Sequence, residues 1–530
     1  MSFDKTAEQI NVIKMAGLHN ELLIEAYAGA AKSSTLAMVA EANPVNSILL
    51  TFNKALAVDA ANKFPSWVTC KTTHSLAYGV FGMPLQHKLS RPRGAYRNVA
   101  GTGTEIAKYF KTGDFKYHLN GAEKQKSIKA GGVGVAIKET VAKFEQSADP
   151  TLTMDHVSLS VCDREMWTDR SIINKFAALV FGYAKQLWAL RINTRVDVLA
   201  THDTYLKLYQ LSKPDLSKYE IIYLDECQDT NEVVLDIFLS QQGKSKLFAV
   251  GDAFQNIYSW RGTTNAMLTL DWPKAKLSKS FRFGQEVGDI ADCVLATATS
   301  KKQTDVKGWE VLSTRCFPSE YATIGDLSKP YTVLFRTNSA LIFEAVELLE
   351  QDKRVNLEID VSDFVKLLDS AIELKNGNLP KVKHENLVQF DSWDEFGIEA
   401  EAVQGELLRV YKMVESKIVY KVLGMLAKHK NYEDPDVTLT TAHKAKGREW
   451  DIVLLGEDFP SGYNAKGEWV GLQDMERNLL YVALTRAIKV LMYNSSVADL
   501  MERMGHAMYV VHTPKKGVEM LKVLLDEAND

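Results

Sequence analysis

Apolar strands that run into a small-residue or acidic loop and then into a helix constrain this 530-residue chain most. Leu22-Leu23-Ile24-Glu25-Ala26 reads as a strand, followed by small residues and a helix from about Lys32. Ile221-Ile222-Tyr223-Leu224 reads the same way and ends in Asp225-Glu226. Ser47 to Phe52, Leu247 to Gly251, Thr332 to Phe335, Val437 to Thr441 and Asp451 to Leu455 have the same character. A run that is apolar on both faces suits a parallel strand covered by helices. Such strands alternating with helical patterns imply doubly wound α/β lobes. They fall into two groups, one before about residue 275 and one after about residue 280.

Two longer stretches break this rhythm. Residues 84–195 read as helix-rich with Gly breaks at Gly101, Gly103 and Gly131-Gly132. Residues 350–432 read as amphipathic helices, for example Ala402 to Leu426. The expected layout is a first lobe from 1–83 and 196–276 with a basic helical insertion at 84–195. A second lobe spans 277–349 and 433–530, with a smaller helical insertion at 350–432. No repeat of solenoid period and no low-complexity tail is evident.

Composition narrows the class. Hydrophobic residues make up 46% and charged residues 25% of the chain, which excludes wholesale disorder. The net charge of −4 means that any nucleic-acid-binding surface must be local. Cys70, Cys162, Cys227, Cys293 and Cys316 are far apart and never in a C-x-x-C pair. That argues against a disulfide framework, a structural zinc site and a four-cysteine iron–sulfur cluster, and it fits a reducing compartment. The N-terminus has no cationic start followed by an apolar run, and no apolar stretch reaches the ~20 residues of a membrane span. A cytoplasmic protein is expected, nucleoid-associated in a bacterial or phage setting.

The loop Ala26-Tyr27-Ala28-Gly29-Ala30-Ala31-Lys32-Ser33-Ser34 has the parts of a phosphate cradle. Small residues let backbone N–H groups face phosphate oxygens, a Lys reaches the β/γ-phosphates, and a hydroxyl serves Mg²⁺. The helix adds its positive end. Ala26 and Ala31 stand where the usual pattern has Gly, and taken alone the loop reads more simply as a small-residue helix start with a surface Lys. Asp225-Glu226 at the end of another apolar strand sharpens the reading. The first carboxylate suits Mg²⁺ and the second suits polarising a water. Together the two segments point to a nucleoside triphosphatase.

Asp225-Glu226-Cys227-Gln228-Asp229 resembles the D-E-x-Q-D motif of the UvrD/Rep-type superfamily 1 helicases, and the other motifs follow in that family's order. Thr6-Ala7-Glu8-Gln9 resembles the Q motif, Thr51 to Ala55 motif Ia, and Thr72 to Ser75 motif Ib. Gly251-Asp252-Ala253-Phe254-Gln255-Asn256-Ile257-Tyr258-Ser259-Trp260-Arg261-Gly262 resembles motif III. Ser280-Phe281-Arg282, Phe335 to Asn338, Thr441 to Trp450 and Glu476 to Ala487 resemble motifs IV, the R-T-N motif, V and VI. The match runs from about residue 6 to about residue 490, with gaps at the two insertions. Within the family, Thr201 to Leu208 and Lys279 to Gly284 resemble the helicase core of F-box DNA helicases. The chain starts almost at the Q motif, so no F-box, and no ubiquitin-ligase role, is expected.

The resemblance implies two RecA-like parallel-sheet lobes, with ATP and Mg²⁺ used at the cleft between them. It assigns Gln9 to the adenine edge, Phe281 to the adenine ring and Glu449 to the ribose. Ala28, Gly29, Ala30, Ala31, Lys32, Ser33 and Ser34 would cradle phosphates, and Ser33 and Asp225 would hold Mg²⁺. Glu226 would be the water-activating base, Gln255 the γ-phosphate sensor, and Arg282 and Arg486 the arginine fingers. A Cβ on Ala31 would crowd the loop only if its φ is unusual. Active turnover is expected, because every other ATPase residue is in place.

For DNA, the resemblance puts Phe52, Tyr258 and Trp260 at base-stacking positions. It puts Thr73, His74, Arg261, Arg336, Asn338 and His443 along the backbone. Residues 83–130 carry ten Lys or Arg against three acids, with Tyr96, Tyr109, Phe110, Phe115 and Tyr117 among them. That pattern favours a further DNA contact. The implied activity is a 3′→5′ single-strand translocase and helicase acting on single-stranded and tailed or forked duplex DNA. Recombination or replication proteins are candidate partners. The alternatives are a nucleotide-switched DNA-binding module and a motor subunit of a larger repair or nuclease complex.

Overall fold

The computed structural model describes residues 4–89, 101–119, 125–258, 265–297, 305–323, 325–403, 405–464 and 466–505. The chain divides into two compact units. The first comprises Met1–Ser278, Thr337–Val346 and Ile359–Lys430, and the second Lys279–Arg336, Glu347–Glu358 and Asn431–Asp530. No helix among the described residues is long and apolar enough to cross a membrane.

The first unit carries strands β1 (Glu21–Ala26), β2 (Ser47–Thr51), β3 (Val68–Thr72), β4 (Phe115–Tyr117), β5 (Lys126–Ile128), β6 (Ile221–Leu224), β7 (Lys246–Gly251) and β8 (Lys274–Leu277). β4 and β5 form an antiparallel pair. The other six form one parallel sheet in the order β3-β2-β6-β7-β1-β8. Alternate residues of each strand serve opposite faces. Leu23, Ile48, Leu50, Ile222, Leu224 and Leu247 pack under Leu206 and Phe238 on one side. Leu22, Ile24, Leu49, Tyr223, Phe248 and Val250 pack under Val12, Leu36 and Val39 on the other. Two covered faces explain why the strands read as unbroken apolar runs.

The second unit carries β9 (Arg315–Pro318), β10 (Tyr331–Phe335), β11 (Val355–Leu357), β12 (Val437–Thr441), β13 (Trp450–Leu455) and β14 (Ala487–Tyr493). They form a second parallel sheet in the order β11-β12-β10-β13-β14-β9. Each unit thus carries a RecA-like parallel sheet, the fold class expected. The apolar-run pattern does not mark β3, β4, β5, β8, β9 or β11. They are short, and β3 and β8 are only half apolar.

The first insertion has its own core, built on Ile106, Val133, Ile137, Phe176, Val180 and Leu187. Three of its expected features take a different form. Gly131 and Gly132 do not break a helix. They lie in the first turn of the helix Ala130–Gln146. In that helix, a Cβ on Gly134 would run into the Gly103 carbonyl oxygen, so glycine there permits the close crossing with the helix Gly103–Phe110. Tyr117 belongs to the core, and Tyr109, Phe110 and Phe115 pack against it half-buried, with much of each ring spent on the insertion itself. Several cations are committed to the protein itself. Lys126 pairs with Glu165 at 2.6 Å and Lys129 with Asp114 at 3.2 Å. Lys108, Lys111 and Lys116 remain exposed. Tyr96, Arg91, Arg93, Arg97 and Lys124 lie outside the described residues.

Lys88 is only 2% exposed. Its Nζ donates to the carbonyls of Leu190 (2.7 Å), Arg191 (2.8 Å) and Asn193 (2.8 Å), where the helix Arg170–Ile192 ends. Those carbonyls lack partners within the helix, and a cation suits the negative end of its dipole. Lys88→Met should therefore destabilise the fold. Stranded buried carbonyls cost roughly 1–3 kcal/mol each unless water reaches them. A thermal melt should show a lower Tm, and an unchanged Tm would mean the cap is dispensable.

The stretch 359–430 interrupts the second sheet in sequence but clusters with the first unit. Lys138 meets both carboxylate oxygens of Glu385 at 2.6 Å, and Lys129 lies 3.5 Å from Asp391.

Candidate active site and DNA-facing residues

In a parallel sheet the C-terminal strand ends share one edge, where open α/β sheets bind ligands. Here the edge collects the loop after β1, Asp225-Glu226 after β6 and Asp252–Gln255 after β7. Ala28 and Ala30 are buried, so the loop turns tightly against the lobe. Gly29 and Ala31 both have left-handed backbone, with φ of 73° and 56°. At Ala31 the Cβ makes that conformation cost about 1–2 kcal/mol, so this position has the unusual φ at which glycine is the easier residue. The helix Lys32–Ala42 begins directly after it with no side-chain cap. Its first N–H groups have no partner within the helix, a natural anion cradle.

Lys32 and Ser33 reach across the sheet edge. Lys32 Nζ lies 2.9 Å from Glu226 Oε2, and Ser33 Oγ donates to Asp225 Oδ2 at 3.0 Å. Glu226 is itself left-handed, with φ 52°, and its N–H donates to Asp225 Oδ1 at 2.9 Å. Burial, then the neighbouring Glu226 charge, push the Asp225 carboxyl up to about 6, while Lys32 and Ser33 pull the other way. Burial acts to lower the Lys32 value, but the charges of Glu226, Asp252 and Asp225 hold it above its ordinary range. Gln255 is buried and donates to Asp252 Oδ2 at 2.8 Å.

This donor set suits Mg²⁺ with a nucleotide. Carboxylates surround one ammonium and a hydroxyl bonds one of them, and Mg²⁺ takes one or two carboxylates plus phosphate oxygens. Among the described residues, no group of three or more His, Cys, Asp or Glu is arranged to hold a metal ion.

Gln9 is occupied within the lobe. Its Oε1 accepts from Thr6 N (3.0 Å) and its own N–H donates to Thr6 Oγ1 (3.2 Å), a capping box, while its Nε2 donates to Thr35 Oγ1 (3.3 Å). Phe52 follows β2, is 45% exposed and stacks on Tyr258, with ring centroids 6.0 Å apart and planes at 11°. His74 is part-exposed, with Nε2 3.3 Å from Asp203 Oδ1 and its ring edge-on to Tyr205. Burial opposes ionisation of Asp203, but the bond to His74 and the one from Gln146 hold its carboxyl below the usual range. Thr73 is buried, unlike a surface contact. Trp260 and Arg261 lie outside the described residues.

In the second unit, Arg282 Nε donates to Glu449 Oε2 at 2.6 Å and Nη1 to the Thr485 carbonyl at 3.1 Å. Arg486 is 1% exposed, and its guanidinium bonds to the carbonyls of Val482 and Arg448 and to Thr485 Oγ1. Phe281 is half-buried, edge-on to Trp309. Arg336 forms a two-pronged pair with Glu476, so the lobe already engages this expected DNA contact. His443 is half-buried in the short helix Ala442–Ala445. Asn338, which falls in the first unit, opens the helix Asn338–Glu350.

Residues 5–273 match the model of the UvrD/REP helicase N-terminal domain, and residues 170–497 match that of the UvrD-like helicase C-terminal domain. The chain belongs to the UvrD-like DNA helicases. This helicase is 31% identical to F-box DNA helicase protein 1 of Schizosaccharomyces pombe, over 93% of its own length and 58% of the relative's. It is 29% identical to F-box DNA helicase 1 of Gallus gallus, over 91% of its own length and 48% of the relative's. It thus spans about half the length of these relatives. A more distant likeness, 23% over 54% of the chain, is to Gabija protein GajB of Bacillus cereus.

Gln228, Asp252 and Asp203 were given no role from the sequence. Gln228 and Asp252 sit inside recognised motifs, which is the signal that could have drawn attention to them. Asp203 lies in the recognised stretch Thr201 to Leu208, but its link to His74 spans 129 residues and is not marked there.

Proposed function

We propose that this UvrD-like helicase hydrolyses ATP with Mg²⁺ and uses the cycle to step along single-stranded DNA, 3′→5′, opening tailed or forked duplexes. The observation that carries this reading is the convergence of Lys32, Ser33, Asp225, Glu226 and Gln255 on one sheet edge, with exposed Phe52 stacked on half-buried Tyr258 at that same edge. Backbone N–H groups of the loop and Lys32 bind the phosphates. Ser33 and Asp225 are the residues that would hold Mg²⁺, which offsets phosphate charge when bound. Glu226 takes the proton of the attacking water. Arg282 and Arg486 are the cations that the family likeness assigns to the same hydrolysis. Phe52 and Tyr258 offer sequence-blind stacking faces.

The test is ATP turnover with and without oligo-dT, then unwinding of 3′- and 5′-tailed duplexes. DNA-stimulated turnover with opening of the 3′-tailed duplex is expected. Nucleotide binding without stimulated turnover would favour a switched binding module. Opening of only the 5′-tailed duplex would reverse the direction. Phe52→Ala should weaken single-strand affinity by roughly 5- to 150-fold, because one stacked base is worth about 1–3 kcal/mol. The ring is exposed, so Tm should hold. Unchanged affinity would take Phe52 off the track.

A further inference from the structure

Gln228 is fully buried between the two catalytic loops of the first lobe. Its Nε2 donates to Glu226 Oε2 at 2.6 Å, and its Oε1 accepts from Asp252 N at 3.0 Å. A backbone N–H can only donate, so the Asp252 contact sets which end of the amide is which and turns the NH₂ toward Glu226. Asn256 Nδ2 donates to the Gln228 carbonyl, gripping the same residue from the main chain. Gly251 leaves the space this needs, since a Cβ there would collide with Gln228 Oε1. The partners Asp252 and Asn256 lie two to six residues before Tyr258, which stacks on Phe52.

We infer that Gln228 is a positioning residue with two linked tasks. It orients the Glu226 carboxylate toward the attacking water. It also ties that orientation to the Asp252–Tyr258 segment, so that a base on the Phe52–Tyr258 face changes the rate of hydrolysis. This inference rests on the proposed ATPase reading, with Glu226 as the base.

The experiment uses the full chain with Gln228→Ala and the volume-keeping Gln228→Met. Four quantities are read: Tm, affinity for a fluorescent ATP analogue, and kcat with and without oligo-dT. In at least the Met variant, kcat should fall about 10- to 100-fold, the scale of a misplaced catalytic group. ATP affinity should stay near wild type, and the ratio of stimulated to basal turnover should fall toward one. Native kcat and a native ratio in a folded variant would overturn the inference. So would parallel losses of Tm, ATP affinity and turnover in both variants, which would mark Gln228 as structural only. A wild-type chain that hydrolyses no ATP with DNA present would instead sink the reading beneath it.

Discussion

Lys32→Ala is expected to lower ATP turnover by about 10²–10³-fold or more, the scale of losing one preorganised contact to transition-state charge. The physical basis is the position of the ammonium among Asp225, Glu226 and Asp252, 2.9 Å from Glu226 Oε2. The side chain is only 12% exposed, so the substitution is not silent for the fold, as it would be for a surface lysine. It leaves buried carboxylates without their counter-charge. The Asp225 carboxyl, already raised to about 6, should rise further once Lys32 no longer pulls it down. A carboxyl whose folded value exceeds its unfolded value lends stability at low pH, lost as pH climbs through the folded value. The Tm deficit of Lys32→Ala against wild type should therefore be larger at about pH 8 than at about pH 5. Thermal melts at both values and a steady-state ATPase assay check the two claims. Near-normal turnover would remove Lys32 from the phosphate site, and a deficit that grows in acid would contradict the charge argument.

Glu226→Gln should separate binding from hydrolysis. Removing a general base costs roughly 10²–10⁴-fold in rate. The amide has nearly the same shape, and its oxygen still accepts from Lys32 and Gln228, so the cradle should survive. Loss of the Glu226 charge also removes one of the two causes that hold the Asp225 carboxyl up. Asp225 should then ionise more readily and retain its capacity for Mg²⁺. The expected variant binds ATP about as tightly as wild type, turns it over very slowly and keeps its Tm. Nucleotide titration alongside turnover decides the matter. If binding falls as far as turnover, Glu226 supports the site's shape and is not the base.

The phosphate loop, the Asp225-Glu226 strand end and the two parallel lobes were legible in the linear chain because each is local. A run of apolar residues, a small-residue turn and the Lys and carboxylates beside it all lie within about ten residues, where chemistry and backbone preference act together. The ordered motifs likewise identified the family before any contact was known. Contacts between distant residues were not legible. The Lys32–Glu226 pair joins positions 194 residues apart, and nothing near either residue announces its burial. Local charge suggests a basic DNA surface on the first insertion, yet the fold turns Lys88 into a helix cap, buries Tyr117 in a core and packs Tyr109, Phe110 and Phe115 against it. A cation can serve phosphate or a carbonyl, and an aromatic ring can stack on a base or fill a cavity. Residue type alone leaves both uses open, and burial, set by the whole fold, selects between them.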